Sequence, residues 1–219
     1  MKKTSESTAS WIVPLITPLF LVGLALRLML GTWFLHLEYR MPYFPADEYG
    51  MTTQDRLHWA PFALDYLING APSSYLADLK FEDGSPLYNE RELGHMEDVQ
   101  RVVQWALRTW LITSAALILL GIWAWRAGWK RDYLMGLSRG GFLTLGLLAV
   151  LGLYASIDFW GFFTFFHGLF FKGDSWLFEY SDTLIRLFPL RFWQDVFIWV
   201  GVIVIGGALG LGLGLRRRG

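Results

Sequence analysis

Four long apolar stretches set the limits on what this chain can become: Trp11 to Leu35, Trp105 to Trp125, Gly140 to Ile157, and Val196 to Leu215. Only Arg27 and Arg108 interrupt them with charge. A bilayer core takes about 20 consecutive apolar residues as a helix, and a helix closes its backbone hydrogen bonds within the segment. Each stretch is therefore read as a spanning helix, and the expected fold class is all-α, a polytopic membrane protein with four transmembrane helices. Composition agrees, because 54% of the 219 residues are apolar and 17% aromatic against 17% charged, too apolar for a soluble domain of this size. Lys2 and Lys3 give the first stretch the look of a signal peptide. It is too long for one and no small-x-small cleavage site follows, so it is read as a retained anchor.

The placement of Lys and Arg predicts the orientation. Lys2 and Lys3 precede the first span, Arg126, Lys130, Arg131 and Arg139 lie in the connection 126–139, and Arg216, Arg217 and Arg218 end the chain, against only Glu6 and Asp132 as acids. Basic flanks stay in the cytoplasm, so both termini are expected there. The connections 36–104 and 158–195 then face outward. They hold eight basic and seventeen acidic residues, an asymmetry hidden by the zero net charge. The expected organisation is a single membrane domain, 1–219, with an extracytoplasmic cap formed mainly by the first outer connection. The chain has no cysteine, which excludes thiol chemistry and thiolate metal sites.

Turn and cap signals subdivide the outer connections. Thr52 or Thr53 caps a helix running towards Asn69, Gly70 and Pro72 stop it, and Pro61 is expected to bend or split it. Phe81 to Leu87, with Asp83, Gly84 and Pro86, reads as a short turn or hairpin. Asn89 and Glu92 are spaced as a cap and its partner, and the run they start enters span two without a breaker, carrying His95 near its outer end. Span three is expected to continue unbroken through Phe159, Trp160, Phe162, Phe163, Phe165 and Phe166 to His167. Phe170 to Trp193 has the length for one or two interfacial helices. In span four, Gly206, Gly210 and Gly214 form a small-residue stripe that allows another helix to approach closely.

Chemistry narrows to two of the four histidines. His36 and His58 read as solvated loop residues, whereas His95 has Glu92 and Asp98 three residues to either side and His167 lies among Phe165, Phe166, Phe170 and Phe171. A neighbouring acid can fix the His95 tautomer, and burial favours the neutral, basic form of His167. The plainer readings are a solvated helix face for His95 and an interface-anchoring ring for His167. Three chemistries suit such a pair: acid–base catalysis on a lipid-borne substrate, haem ligation, or a metal site. Haem is disfavoured because both histidines fall at helix ends. Zinc would need a third ligand such as Asp98, Glu92 or Asp174, and no H-E-x-x-H spacing is present. A non-catalytic scaffold or lipid-binding protein is the alternative from another class.

The runs Asn89-Glu90-Arg91-Glu92-Leu93-Gly94-His95-Met96-Glu97-Asp98-Val99 and Phe163-Thr164-Phe165-Phe166-His167-Gly168-Leu169-Phe170-Phe171, then Asp174-Ser175-Trp176 and Leu184-Ile185-Arg186-Leu187-Phe188-Pro189, resemble the lipoprotein intramolecular transacylase family. The likeness covers essentially the whole chain. It implies an enzyme of the bacterial cell membrane, with its active site at the outer face, that moves the sn-2 acyl chain of a diacylglyceryl lipoprotein onto the amino group of that lipoprotein's own N-terminal cysteine. His95 and His167 match the family's histidines, with Glu92 or Asp98 as orienting groups and Phe163, Phe166, Phe170, Asp174 and Trp176 as substrate contacts. His167 is the expected base, His95 serves the oxyanion or leaving group, and the reverse order is open. Neither cofactor nor metal is implied. The implied partners are a diacylated lipoprotein and membrane lipids, with no nucleic acid. The reacting cysteine belongs to the substrate, which separates this family from the nitrilase-like apolipoprotein N-acyltransferases and their own cysteine nucleophile.

Overall fold

The computed structural model describes residues 2–216, and the side chains of residues 11–215. Arg217 and Arg218, and the side chains of Lys2, Lys3, Glu6 and Arg216, lie outside the described residues, and with them part of the charge argument for orientation. In chain order the described helices are α1 (Lys2–Met29), α2 (Thr32–Glu38), α3 (Thr53–Asn69), α4 (Ser74–Ala77), α5 (Glu90–Ala127), α6 (Lys130–Ile157), α7 (Phe159–Phe170), α8 (Thr183–Leu187) and α9 (Leu190–Arg216). The described residues form no strand beyond one isolated antiparallel pairing, Lys80 with Pro86. The chain divides into two compact units. A span unit comprises Met1–Leu28, Ala106–Asp158 and Ile198–Gly219, and a loop unit comprises Met29–Trp105 and Phe159–Phe197.

Among the described residues four helices are long and apolar enough to cross a membrane: Trp11–Met29 of α1, then α5, α6, and Leu190–Leu215 of α9. Their outward side chains, among them Leu111, Ile112, Ile118, Val150, Leu153 and Val202, are exposed. A soluble protein would bury them. In lipid, exposed leucine costs nothing, so association depends on close van der Waals contact. Leu21, Ala25, Val204 and Ala208 form one buried cluster of the span unit, and Ala124 with Trp129 forms another. A Cβ on Gly141 would sit 2.5 Å from the Ala208 carbonyl, and one on Gly140 would sit 2.5 Å from Thr17. Ser138 seals the same contact by donating to the Gly212 carbonyl at 2.8 Å.

The expected glycine stripe is mis-phased. A Cβ added at Gly206, Gly210 or Gly214 would meet nothing within 4 Å, whereas one at Gly207 would meet Leu21 at 2.9 Å and one at Gly141 would meet the backbone of Ala208 and Gly212. Every fourth residue does share a helix face, but the buried face of α9 is set by Val204 and Ala208, which puts the stripe on the open side.

Other boundaries also moved. The first span ends at Met29, not Leu35, because Gly31 takes an extended conformation and caps the separate helix α2. The expected connection 126–139 shrinks to Gly128 and Trp129, since Gly128 adopts a φ of +84° and reverses the chain into α6. Only glycine takes that left-handed region without strain. The run from span three to His167 is broken at Asp158, whose φ of −145° and ψ of 88° end α6 and let α7 start afresh. Pro61 does not split α3, which runs through it with Ala60 and Ala63 buried on either side. The Phe170 to Trp193 segment yields one short helix, α8, before α9 begins at Leu190.

The signals inside the loop unit hold more closely. Thr52 caps α3 in a reciprocal capping box with Asp55, and Gly70 closes it at a φ of 69°. Asn89 and Glu92 make the same box at α5: the Asn89 amide donates to Glu92 Oε2 at 2.8 Å and the Glu92 amide donates to Asn89 Oδ1 at 3.0 Å. Phe81 and Ser85 close the expected turn, the Phe81 amide donating to the Ser85 carbonyl at 2.9 Å. Long-range hydrogen bonds then join the two connections into one body. The Tyr39 hydroxyl donates to the Leu187 carbonyl at 2.9 Å, Arg56 Nε donates to the Arg186 carbonyl at 2.8 Å, and Asn89 Nδ2 donates to Asp182 at 2.9 Å. Both connections therefore contribute to this unit, the first with the longer stretch, Met29–Trp105, and the second with Phe159–Phe197.

Candidate active site

Within the loop unit the fold brings His95 and His167 onto the same phenyl ring. Phe171 packs against His95 at 5.0 Å and against His167 at 5.6 Å between ring centroids. His95 stands in the second turn of α5, in the charged stretch that ends where the apolar run starts at Trp105, so it lies outside the spanning part of that helix. His167 stands near the end of α7, a helix of 12 residues.

The His167 ring is held on every side but one. Phe163, one helical turn earlier, packs on it at 4.0 Å, Trp176 at 4.6 Å, and Phe166 at 5.8 Å. Its Nδ1 lies 2.8 Å from the Phe163 carbonyl oxygen. A carbonyl only accepts, so Nδ1 carries the proton, and in the neutral ring Nε2 is left with the free lone pair. Burial lowers the His167 pKa below its ordinary value, and the carbonyl opposes this more weakly. The ring is therefore a neutral base with one tautomer fixed by its own helix.

His95 is drier still. Burial, and then the nearby His167 charge, push its pKa down to about 4, with Asp98 pulling the other way. Its ring is sandwiched by Phe171 and by Phe178, the latter at 5.2 Å, and Arg91 sits over Phe178 at 5.5 Å. His95 Nδ1 is buried with no hydrogen-bond partner, and so is the Ser175 hydroxyl next to Trp176. Buried polar atoms are almost always paired, and these two share their unpaired state with the Tyr88 hydroxyl and the Glu38 carboxylate elsewhere in the loop unit.

The orienting acids are not bonded to His95. Glu92 is fully buried, and both its oxygens accept backbone amides: Oε2 from Asn89, and Oε1 from Leu184 at 2.7 Å. It ties the start of α5 to the start of α8. Burial raises its pKa against the pull of those two amides. Asp98 pairs with Arg101 and reaches His95 only through its charge.

Of the expected substrate contacts, Phe163, Phe166 and Trp176 line His167. Phe170 packs on Phe166 and Phe171 instead, at 5.1 and 6.4 Å. Asp174 is exposed; its carbonyl accepts the Leu177 amide, and its carboxylate makes no hydrogen bond. Phe178 and the Phe163 carbonyl are the additions. The carbonyl lies four residues before His167, a spacing at which a helix-terminal imidazole can reach back. No sequence signal pointed to Phe178. Among the described residues no three His, Asp or Glu side chains are grouped to hold a metal ion.

A family model described as lipoprotein intramolecular transacylase Lit matches residues 11–193. The chain belongs to that family. It is an integral, multi-pass membrane protein of the Lit type. An uncharacterized protein of Aquifex aeolicus (strain VF5) is 30% identical over 194 residues, spanning 89% of this chain and 87% of that one. The solved structure of the membrane-integral Lit from Bacillus cereus superposes with a TM-score of 0.77 at 21% identity, covering 99% of this chain and 96% of that one. A form of the Bacillus protein with one histidine replaced by arginine gives 0.74 at 20% identity, over 99% and 92% of the two chains. At this identity the likeness speaks for the fold, and this chain's chemistry is argued from its own residues.

Proposed function

We propose that this Lit-family chain moves the sn-2 acyl group of a diacylglyceryl lipoprotein to the α-amino group of the same molecule's N-terminal cysteine, leaving a lyso-form lipoprotein. The observation that carries the reading is the hydrogen bond from His167 Nδ1 to the Phe163 carbonyl, which presents Nε2 as a base in a dry aromatic pocket. The α-amino group has an ordinary pKa of about 7.7 to 8, and only its neutral form attacks an ester. As nitrogen bonds to the acyl carbon, its proton passes to His167 Nε2. The carbon–oxygen bond to glycerol then breaks, and the same proton leaves with the sn-2 oxygen. Ester and amine become amide and alcohol, with no second acyl donor and no cofactor.

His95 serves the same reaction as a neutral imidazole. With a pKa pushed down to about 4, it carries one N–H at neutral pH and can donate it to the tetrahedral oxyanion. Because amine and ester belong to one molecule, orientation replaces a bimolecular encounter. The rings of Phe163, Phe166, Phe171 and Trp176 suit the acyl chains and keep water from the ester. Asp98 tunes His95 by charge.

The substrate class favours an orientation with both termini in the cytoplasm and the loop unit at the outer face, where mature lipoproteins carry their lipidated ends. The cationic residues around Gly128 and at the chain's end support that orientation. The test is incubation of the purified protein with a synthetic diacylated lipopeptide, followed by mass spectrometry of the cysteine nitrogen. N-acylation without change in total mass is expected, and its absence would overturn the proposal.

A further inference from the structure

A second polar cavity in the loop unit lies outside the histidine site. It has a volume of about 300 Å³ and is lined by Tyr39, Phe44, Asp47, Thr52, Thr53 and Arg56, with Gly50 at its edge. Arg56 is the unusual wall. It is only 3% exposed, yet among the described residues no carboxylate lies within ion-pairing distance of it. Its Nε donates to the Arg186 carbonyl at 2.8 Å and its Nη1 to the Pro45 carbonyl at 2.7 Å, while Nη2 makes no hydrogen bond. Phe44 packs under the guanidinium at 5.0 Å. A buried cation with no directly paired carboxylate is costly to keep; Asp47 reaches Arg56 only through its charge, and one donor edge remains free.

The nearby acids are already committed. Asp47 Oδ2 accepts the Met51 amide at 2.7 Å and Arg186 at 3.2 Å. Asp55 Oδ2 accepts the Thr52 amide at 2.8 Å and the Thr52 hydroxyl at 2.7 Å. The cavity wall also includes the first turn of α3, a helix of 17 residues. The unpaired N–H groups and dipole of such a turn favour an anion. Two tyrosines near the cavity, Tyr43 and Tyr49, are 54% and 53% exposed and stack with Arg191 and Arg186. Exposed tyrosine beside arginine is what membrane proteins present to lipid headgroups.

We propose that this cavity binds a phosphate group, with Arg56 Nη2 as its main donor and the Thr53 hydroxyl and the amino end of α3 completing the cradle. A planar guanidinium with a free edge matches phosphate oxygens. The phosphate comes either from a phospholipid headgroup or from free phosphate, and the stacked tyrosines favour the lipid.

The test is the melting temperature of the full-length protein in non-ionic detergent, followed by tryptophan fluorescence at matched ionic strength. Three additions are compared: short-chain phosphatidylglycerol, inorganic phosphate, and the corresponding diacylglycerol, which lacks phosphate. Phosphatidylglycerol is expected to raise the melting temperature by about 3 °C at ten times its Kd, while diacylglycerol leaves it unchanged. An equal rise with inorganic phosphate would keep the site and assign it to the free ion. Arg56→Gln should abolish the rise. Because that change also removes two structural hydrogen bonds, Thr53→Glu is the companion variant: it places a carboxylate at the cavity wall, leaves every Arg56 bond in place, and suits the first turn of a helix. It should melt no lower than wild type and gain nothing from phosphatidylglycerol. His167→Ala should keep the full rise, which separates this site from the catalytic one. No rise with either phosphate compound, or an undiminished rise in Thr53→Glu, would overturn the proposal.

Discussion

Replacing Glu92 by glutamine separates two roles for a buried acid three residues from His95, the proposed oxyanion donor. If Glu92 orients His95, the change should lower activity in a normally stable protein. The structure gives it different work: its two oxygens accept the Asn89 and Leu184 amides, at 2.8 and 2.7 Å, and so join segments 92 residues apart in sequence. Hydrogen bonds to a buried charged group contribute about 1.5 to 3 kcal/mol each, and a buried amide left unpaired costs about 1 to 3 kcal/mol. Glutamine keeps one acceptor oxygen and turns an amide group towards the other N–H. The expected loss is therefore about 2 to 3 kcal/mol, rising to about 4 in Glu92→Ala, where both amides are orphaned. The assay pairs thermal unfolding in detergent with acyl-transfer rates measured well below the lower melting temperature. Unfolding should move down while the rate per folded molecule stays within about threefold. A Glu92→Gln protein that melts like wild type but transfers acyl groups at a tenth of the rate or less would refute the clamp and return Glu92 to His95.

Other outcomes follow from the same geometry. His95 is neutral in the fold with a pKa near 4, while the unfolded chain takes up its proton near 6.5, so stability is full above pH 6.5 and is lost as pH falls towards 4. The loss is roughly 3 kcal/mol, and it should disappear from the pH dependence of unfolding in His95→Phe. Trp176→Ala removes the ring that packs on His167 at 4.6 Å and should lower the transfer rate about tenfold with little change in melting temperature; an unchanged rate would take Trp176 out of the site. Gly141→Ala places a methyl 2.5 Å from the Ala208 carbonyl and should destabilise the span unit by about 1 to 3 kcal/mol, whereas Gly210→Ala, with open space around it, should be neutral in the same unfolding measurement.

The parts of this fold that were legible in the sequence are those governed by short-range periodicity. An apolar run long enough to span a bilayer reads as a helix whatever surrounds it, and the Thr52 and Asn89 boxes are complete within four residues. Breaks inside apolar runs were hidden. Nothing about Asp158 or Gly31 outweighs the hydropathy around them, and their backbone conformations depend on packing elsewhere in the chain. The glycine stripe shows the same limit, because spacing tells which residues share a face but not which face is buried. At the site, His95 and His167 were singled out through a resemblance. That Phe171 lies between them was not legible, since four phenylalanines compete for that place in sequence and only the end of α7 selects one. The bond from the Leu184 amide to Glu92 was not legible either, because it is a contact made by the tertiary fold.

His167 is proposed to act as a neutral base through Nε2, and rescue of His167→Ala by exogenous imidazole probes that role. Mass spectrometry would follow N-acylation of a diacylated lipopeptide by the wild type, by His167→Ala, and by His167→Ala with added imidazoles of graded basicity. Loss of a positioned general base should reduce the rate by about 10²- to 10⁴-fold, and the rescued rate should climb with the basicity of the added imidazole. A variant that transfers the acyl chain at the wild-type rate, or a rescue indifferent to basicity, would contradict the account.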